Sequence, residues 1–332
     1  MHRVTQITFQ MSELVRRLGL SHAQIEELHG ITKEHVEQLV DDSWLQIRRT
    51  ELQTLLALAA DSQLGADAFI SVQPHPAWET FASAQASVFR GCTVEGEAID
   101  IDAELESSLR KRMKLKVQTN IYPHDGSLAA KLLDQVAEQM QTRNCIFIGG
   151  PKFNPFTETA LALLTGTRPF DAKGEAPIRF YSDSISKMHG VSTFCGRAEN
   201  LFGVEVTPTE GAQPVPLKTD RVKNTKLKGG WDIGLLAVCR RPLKAKADVT
   251  SIIIAGHQAP STLGIFDNLY AGLPFLGKLN PGAPELRLFA TPWKRRNNVV
   301  EPAGRGQRYE RLEDVGRILR AINKGGLNGN DA

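Results

Sequence analysis

Two stretches of this chain set glycines and hydrogen-bonding side chains where an apolar run ends and a helix should begin, a pattern suited to holding an anion. The first is Ile146-Phe147-Ile148-Gly149-Gly150-Pro151-Lys152-Phe153-Asn154-Pro155-Phe156-Thr157-Glu158-Thr159. Its glycines let the backbone approach a ligand closely, and Asn154 before Pro155 reads as an N-cap with proline at the first helical position. Gly149, Gly150, Pro151, Lys152, Asn154 and Thr157 are therefore candidate ligand-binding residues, with Lys152 supplying positive charge. The second stretch, Ile252-Ile253-Ile254-Ala255-Gly256-His257-Gln258-Ala259-Pro260-Ser261-Thr262-Leu263-Gly264, repeats the order of apolar strand, glycine and helix start. It adds Gly256, His257, Ser261 and Thr262 to the candidates. Asp232, just ahead of the apolar run Ile233 to Cys239, is placed to accept from a ribose hydroxyl. A tight turn into a capped helix is the plain alternative for each junction, and turn chemistry the plain alternative for Asp232. Neither junction has the Gly-Lys-Ser/Thr ending of a Walker loop or the Gly-x-Gly-x-x-Gly dinucleotide fingerprint.

Catalytic chemistry finds less support. His257 is placed for acid/base work or phosphate binding, or equally for tying down its own loop. Glu158, His124 with Asp125, and His189 complete the titratable candidates. The chain has no Gly-x-Ser-x-Gly elbow, no His-Glu-x-x-His and no carboxylates paired at useful spacing, so no catalytic residue is assigned. Cys92, Cys145, Cys195 and Cys239 are scattered, without Cys-x-x-Cys or a Cys/His pair at metal spacing. They read as buried thiols, and neither a metal nor a cofactor is expected.

The elements that must position these residues alternate. Strands are expected at Leu115 to Tyr122, Cys145 to Ile148, Ile178 to Tyr181, Ile233 to Cys239, Ser251 to Ala255 and Leu286 to Ala290. Helices are expected at Leu128 to Met140, Pro155 to Leu164 and Leu312 to Ile322. This order predicts an α/β domain at 93–323 with a mostly parallel, three-layer, Rossmann-like sheet, whose carboxyl edge carries both glycine junctions. The junctions and the α/β order resemble the Rossmann-like nucleotide-sensing domains of the SLOG (Lonely Guy/DprA) superfamily, which implies a nucleotide-like ligand. Residues 71–92 read as a connector, extended and then helical, with Trp78 and Phe81 as anchors. The glycine-rich tail 324–332 reads as disordered.

Residues 1–70 read as a small all-α domain. Ser21 with Gln24 forms a capping box, Thr32 is an N-cap, and Gly30 supplies a left-handed turn between two short amphipathic helices. Leu14, Leu18, Ile25, Leu28, Ile31, Val36 and Leu39 are spaced for a miniature core, and Thr50 opens a further helix. The segment resembles the Cro/repressor-type (XRE-like) helix-turn-helix family, with Glu26 standing where that family places a small residue. The resemblance implies double-stranded DNA as partner, a homodimer, and contacts from Ser21, Thr32, Lys33, His35 and Gln38.

Charge complicates that expectation. The 332-residue chain is +3 overall, with six basic and ten acidic residues in positions 1–70, so the first segment is −4 and the remainder +7. An acidic module is a poor lone binder of DNA phosphates, which leaves a helical docking module as the alternative. The basic residues of the remainder cluster at Arg110 to Lys116, Lys218 to Lys228, Arg240 to Lys246 and Lys294 to Arg296, as solvated faces or as an electropositive surface. No apolar run is long enough to span a membrane and no signal peptide is evident, so a cytosolic protein is expected. The functional expectation is a DNA-binding regulator sensing a phosphate-bearing ligand. The competing expectations are a nucleotide-processing effector, N-glycosidase-like for example, whose helical module mediates assembly, and a scaffold without ligand.

Overall fold

A computed structural model describes residues 5–9, 11–40, 49–64, 70–74, 85–91, 100–111, 115–121, 129–183, 191–271, 279–296, 299–303 and 307–324. The chain divides into two compact units, Met1–Trp78 with Ala271–Lys278, and Glu79–Tyr270 with Leu279–Ala332. The boundary at Trp78 falls inside the expected 71–92 connector. His124, Asp125, His189, Cys92, Trp78, Phe81 and the tail beyond Lys324 lie outside the described residues. No helix among the described residues is long and apolar enough to cross a membrane.

The first unit holds β1 (Thr5–Phe9), α1 (Met11–Leu18), α2 (His22–His29), α3 (Lys33–Val40), α4 (Arg49–Asp61) and β2 (Ile70–Pro74). It is not all-α: β1 and β2 pair antiparallel with Ile7 opposite Val72. Thr5 to Phe9 alternates polar and apolar side chains, a period-two signal that five residues at a chain start carry too briefly to stand out. Met11, Leu14, Ile25, Ile31, Val36, Leu55, Leu58, Ala59 and Leu64 form the core. The expected capping box is present at α2, where Ser21 and Gln24 exchange side-chain and backbone bonds, and Gly30 ends the helix at φ 67°. Leu28, expected in the core, is instead 63% exposed. Glu26 reaches forward to accept from the Lys33 amide at 3.1 Å, so the carboxylate caps the next helix.

The second unit is built on one eight-stranded sheet. In chain order its elements are β3 (Ala86–Arg90), α5 (Asp100–Lys111), β4 (Val117–Ile121), α6 (Ala129–Thr142), β5 (Cys145–Ile148), α7 (Pro155–Thr165), β6 (Ile178–Tyr181), β7 (Cys195–Gly196), β8 (Gly203–Val206), β9 (Val215–Lys218), β10 (Gly229–Arg240), β11 (Thr250–Gly256), α8 (Ala259–Ala271), β12 (Glu285–Arg296), β13 (Val299–Pro302), β14 (Arg308–Arg311) and α9 (Val315–Lys324). The sheet order is β13-β12-β10-β11-β5-β3-β4, with β14 also on β12.

The sheet is mixed, and this corrects the mostly parallel expectation. β4, β3, β5 and β11 are parallel neighbours, whereas β10 and β12 to β14 join antiparallel. The connection from β10 to β11 is too short for a parallel crossover. Ile233 to Cys239 nonetheless reads as a continuous apolar run because β10 is buried on both faces, the pattern that parallel strands also show. Trp231, Ile233, Leu235 and Ala237 share one core with α6, α7 and α9. On the opposite face a Cβ at Gly234 would lie 2.7 Å from Ile265 of α8.

Several elements of this unit were missed by the sequence reading, among them α5, β7 to β9, β13 and β14. β3 replaces the helical end of the connector and sits between β4 and β5. A separate four-stranded sheet, β7-β6-β8-β9, packs its Phe180, Val204 and Leu217 into the same core.

Asn154 ties the centre together. It is fully buried; its Oδ1 accepts from Phe156 and Thr157 amides at 3.0 and 3.4 Å, and its Nδ2 donates to Ile148 O at 2.8 Å and Phe89 O at 3.1 Å. One side chain thus caps α7 and satisfies two strand carbonyls. Asn154→Ala removes the cap and leaves those carbonyls dry, so a loss of about 2–4 kcal/mol is expected. Urea unfolding with an unchanged m-value measures it; a loss under about 1 kcal/mol would show that water or a neighbour takes over.

Candidate functional site

β5 and β11 are adjacent and parallel, with Ile148 opposite Ile254, so both glycine junctions leave the same sheet edge side by side. Their backbones touch: a Cβ at Gly150 would meet Gly256 O at 2.8 Å. Beside them lies a cleft of about 660 Å³, with the ends of β6 and β7, Phe202 and the loop Arg221–Lys223 forming the other walls. All of these belong to the second unit.

Of the expected ligand residues, Gly150, Pro151, Lys152, Gly256 and His257 line this cleft. Gly149, Asn154, Thr157, Asp232, Ser261 and Thr262 do not, and their polar groups are consumed by the protein. Gly149 takes φ 94°, which favours glycine. Thr157 donates to Gly149 O at 3.0 Å, and Ser261 and Thr262 donate to Gln258 O at 3.1 and 3.3 Å.

Both helix starts are already capped. Asn154 holds the first amides of α7, as described. At α8 the cap comes from a distant strand: Asp232 Oδ2 accepts from Ser261 N at 2.9 Å and Gln258 N at 3.2 Å, while Oδ1 takes Ile233 N at 2.9 Å. Asp232 is fully buried, and desolvation pushes its carboxyl upward against those donors. The structure therefore departs from the expectation that free amides at the helix starts hold an anion; protein groups occupy them.

His257 is similarly engaged. Its Nε2 lies 2.7 Å from Tyr181 O, a pure acceptor, so Nε2 carries the proton; Nδ1 lies 3.2 Å from the Thr219 hydroxyl. Burial pushes its pKa down, keeping the ring neutral despite Asp232 Oδ1 at 3.8 Å. Phe202 meets its ring edge-on at 4.6 Å. Its role is to bind β6 and the end of β9 to the β11–α8 junction. Glu158 is buried too, accepting from Phe170 N, Thr193 N and the Ser192 hydroxyl, and burial raises its pKa.

What faces the cleft is cationic and aromatic. Lys152 donates to the Ser182 hydroxyl at 3.1 Å, sits 5.0 Å from the Phe153 ring centre, and is held below the usual lysine range by burial and by Lys223. Arg221 lies 4.3 Å over the Phe202 ring and pairs with Asp183. Gln258 fixes this wall: Oε1 accepts from Val222 N at 2.9 Å and Nε2 donates to Asp220 O at 2.8 Å. Cys195 lines the wall as a buried thiol with its pKa pushed up by burial. Sequence reading missed Phe202, Gln258 and Ser182 entirely; Arg221 and Lys223 were visible only as members of a basic run.

In the first unit the DNA-contact candidates have local duties. Ser21 and Thr32 are helix caps, the latter at 3.3 Å from His35 N. His35 bonds Glu51 through Nδ1 at 2.9 Å, and Lys33 pairs with Glu37 at 3.5 Å. Gln38 lies on α3, with its side chain outside those described.

No family model, curated protein or solved structure matches this chain.

Beside Gly149 a second carboxyl stands apart. Asp102 is 3% exposed, its Oδ2 has no hydrogen-bond partner among the described residues, and a Cβ at Gly149 would approach that atom to 2.6 Å. Burial pushes its pKa up to about 7, against the opposing effects of Arg90 and the Gly91 amide. The folded state therefore keeps a proton that the unfolded chain releases at ordinary aspartate pH, and stability falls as pH rises from that range to about 7. Asp102→Asn, which mimics the neutral acid, should gain melting temperature over wild type progressively between about pH 4 and about pH 7, with the difference level above that. Parallel melting profiles would refute the raised pKa.

Proposed function

We propose that the chain is a ligand-responsive regulator: its α/β unit holds a small anionic molecule with a flat ring, such as a nucleotide, and its helical unit reads DNA. The observation that carries this reading is the cleft itself, where Lys152, Arg221 and Lys223 surround an apolar floor bearing Phe153 and Phe202. Rings of a ligand gain from the aromatic and apolar surface, and its anionic part gains from the half-buried lysine and the rim cations. About 660 Å³ is the right scale for one nucleotide-sized molecule. With helix amides already capped, the anion is held by side chains, so binding weakens with salt.

The parallel half of the sheet, β4-β3-β5-β11, supports a Rossmann-like ancestry for this unit, and the SLOG likeness remains part of the proposal. The helix-turn-helix likeness rests on α2, Gly30 and α3. A second reading has its own support: Lys33 and His35 are engaged with Glu37 and Glu51, which suits a helical docking module serving a nucleotide-processing effector.

Nucleotide-induced melting shifts test the cleft. At a hundredfold excess of ligand over its dissociation constant, wild type should gain about 2.7 kcal/mol. Lys152→Ala and Lys223→Ala should each lose most of that shift, and Gly150→Val should abolish it by crowding Gly256. Equal shifts in all four proteins would place the ligand elsewhere, and no shift with any nucleotide would overturn the sensor reading. For the helical unit, Lys33→Ala with Gln38→Ala should abolish sequence-selective retardation of upstream DNA by the folded chain. Absence of any selective retardation by wild type at low salt would favour the docking module.

A further inference from the structure

The sequence holds two basic runs, Lys218 to Lys228 and Lys294 to Arg296, separated by more than sixty residues. The fold brings them together. Gly229 at the start of β10 is paired with Lys294 in β12, and Arg295 N donates to Lys228 O at 2.7 Å. Arg295 braces the loop from beneath, its guanidinium donating to Leu227 O at 3.3 Å and to Val222 O. Lys218, Lys223, Lys226, Lys228 and Arg296 are left exposed around this brace.

These five cations have no ion-pair partner among the described residues. Elsewhere in the unit several exposed arginines are matched: Arg240 with Asp248, Arg311 with Glu285, Arg317 with Glu310. Nearby acids are committed or few. Asp183 is taken by Arg221, Asp220 accepts from Trp231 N at 2.8 Å, and Glu301 stands opposite Lys294 in the ladder. Unmatched like charges on one rim repel one another, and a polyanion relieves that repulsion.

The residue types narrow the partner. Between the lysines stand exposed Asn224 and Thr225, which together with lysine are typical phosphate-contacting side chains. Around Lys226, Lys228 and Arg296 the neighbouring aromatics Trp231 and Trp293 are buried, so this part of the patch offers no platform for stacking unpaired bases. Among the described residues no helix stands in the patch to enter a groove. From this we infer that the patch binds the phosphate backbone of duplex nucleic acid without reading its sequence. The net charge agrees: the first 70 residues sum to −4 and the rest to +7, so phosphate affinity resides in the α/β unit.

The inference stands apart from the cleft reading, because Lys226, Lys228 and Arg296 do not line the cleft. The test is fluorescence anisotropy of the full chain on a labelled 20-base-pair duplex of arbitrary sequence, across about 50 to 200 mM salt, where each phosphate contact contributes about 0.9 to the log–log slope. Wild type should bind with a steep slope. The triple variant Lys226→Gln/Lys228→Gln/Arg296→Gln should lose about 2–3 from that slope and at least about tenfold in affinity at the lower salt, with its melting point and its nucleotide-induced shift unchanged. The Lys33→Ala chain should keep the wild-type slope on this duplex. An unchanged slope in the triple variant, a loss confined to Lys33→Ala, or tighter binding to the matching single strand would overturn the inference. A chain that shows no nucleotide shift yet keeps this slope would retire the cleft reading alone.

Discussion

A single buried carboxylate sets the position of the cleft walls opposite the β5–α7 junction. Asp232 sits in the middle of β10 with no exposure to solvent, an arrangement worth several kcal/mol of penalty unless the charge is matched by donors. The donors are the first amides of α8, so the strand and the helix fix each other, and the helix dipole adds to the match. From there the order propagates outward. Gln258, whose amide is held by Asp232, lends its side chain to Asp220 and Val222 in the manner of a strand partner and so places Arg221 and Lys223. His257, one residue before, ties β6 and Thr219 to the same junction. Satisfying one costly group thus orders much of the cleft.

The same economy changes the logic of anion binding. In open α/β folds, free helix-start amides commonly receive phosphate, and glycines clear the approach. Here Asn154 and Asp232 fill both helix starts with oxygen, while Gly150 and Gly256 serve close contact between two backbones. An anion in the cleft must then rely on flexible side chains at its rim. Such a site is more salt-sensitive and less directional than an amide nest, and it favours ligands that also bring an apolar ring to Phe153 and Phe202.

What the sequence made legible was local. The runs Cys145 to Ile148 and Ser251 to Ala255, the Asn154-Pro155 helix start and the capping box at Ser21 each follow from a handful of adjacent residues, and each element lies where those residues put it. What it concealed depends on partners far along the chain. Asp232 looked like an acceptor for a ribose hydroxyl, with turn chemistry as the alternative, because its donors are 26 and 29 residues away. His35 looked like a surface reader because Glu51 stands 16 residues on. The direction of β10 was hidden because burial on both faces erases the alternation that distinguishes an antiparallel strand. Gln258 carried no signal at all: an amide side chain that imitates backbone pairing is visible only once its two partners are in place.

Charge is distributed differently in the two units, each of which packs around a core of its own. In the helical unit basic side chains are spent internally: Arg16 and Arg17 both bond Glu13, and Lys33 bonds Glu37. Exposed pairs of this kind add little stability, so their main effect is to mute the field that the unit presents. The α/β unit does the reverse along the rim of β10 and β12, concentrating cations whose repulsion the fold tolerates because Arg295 anchors the loop through backbone carbonyls, which repel nothing. An acidic surface whose few cations are paired offers a polyanion little long-range attraction, whereas a rim of unpaired cations presents a field that any polyanion feels.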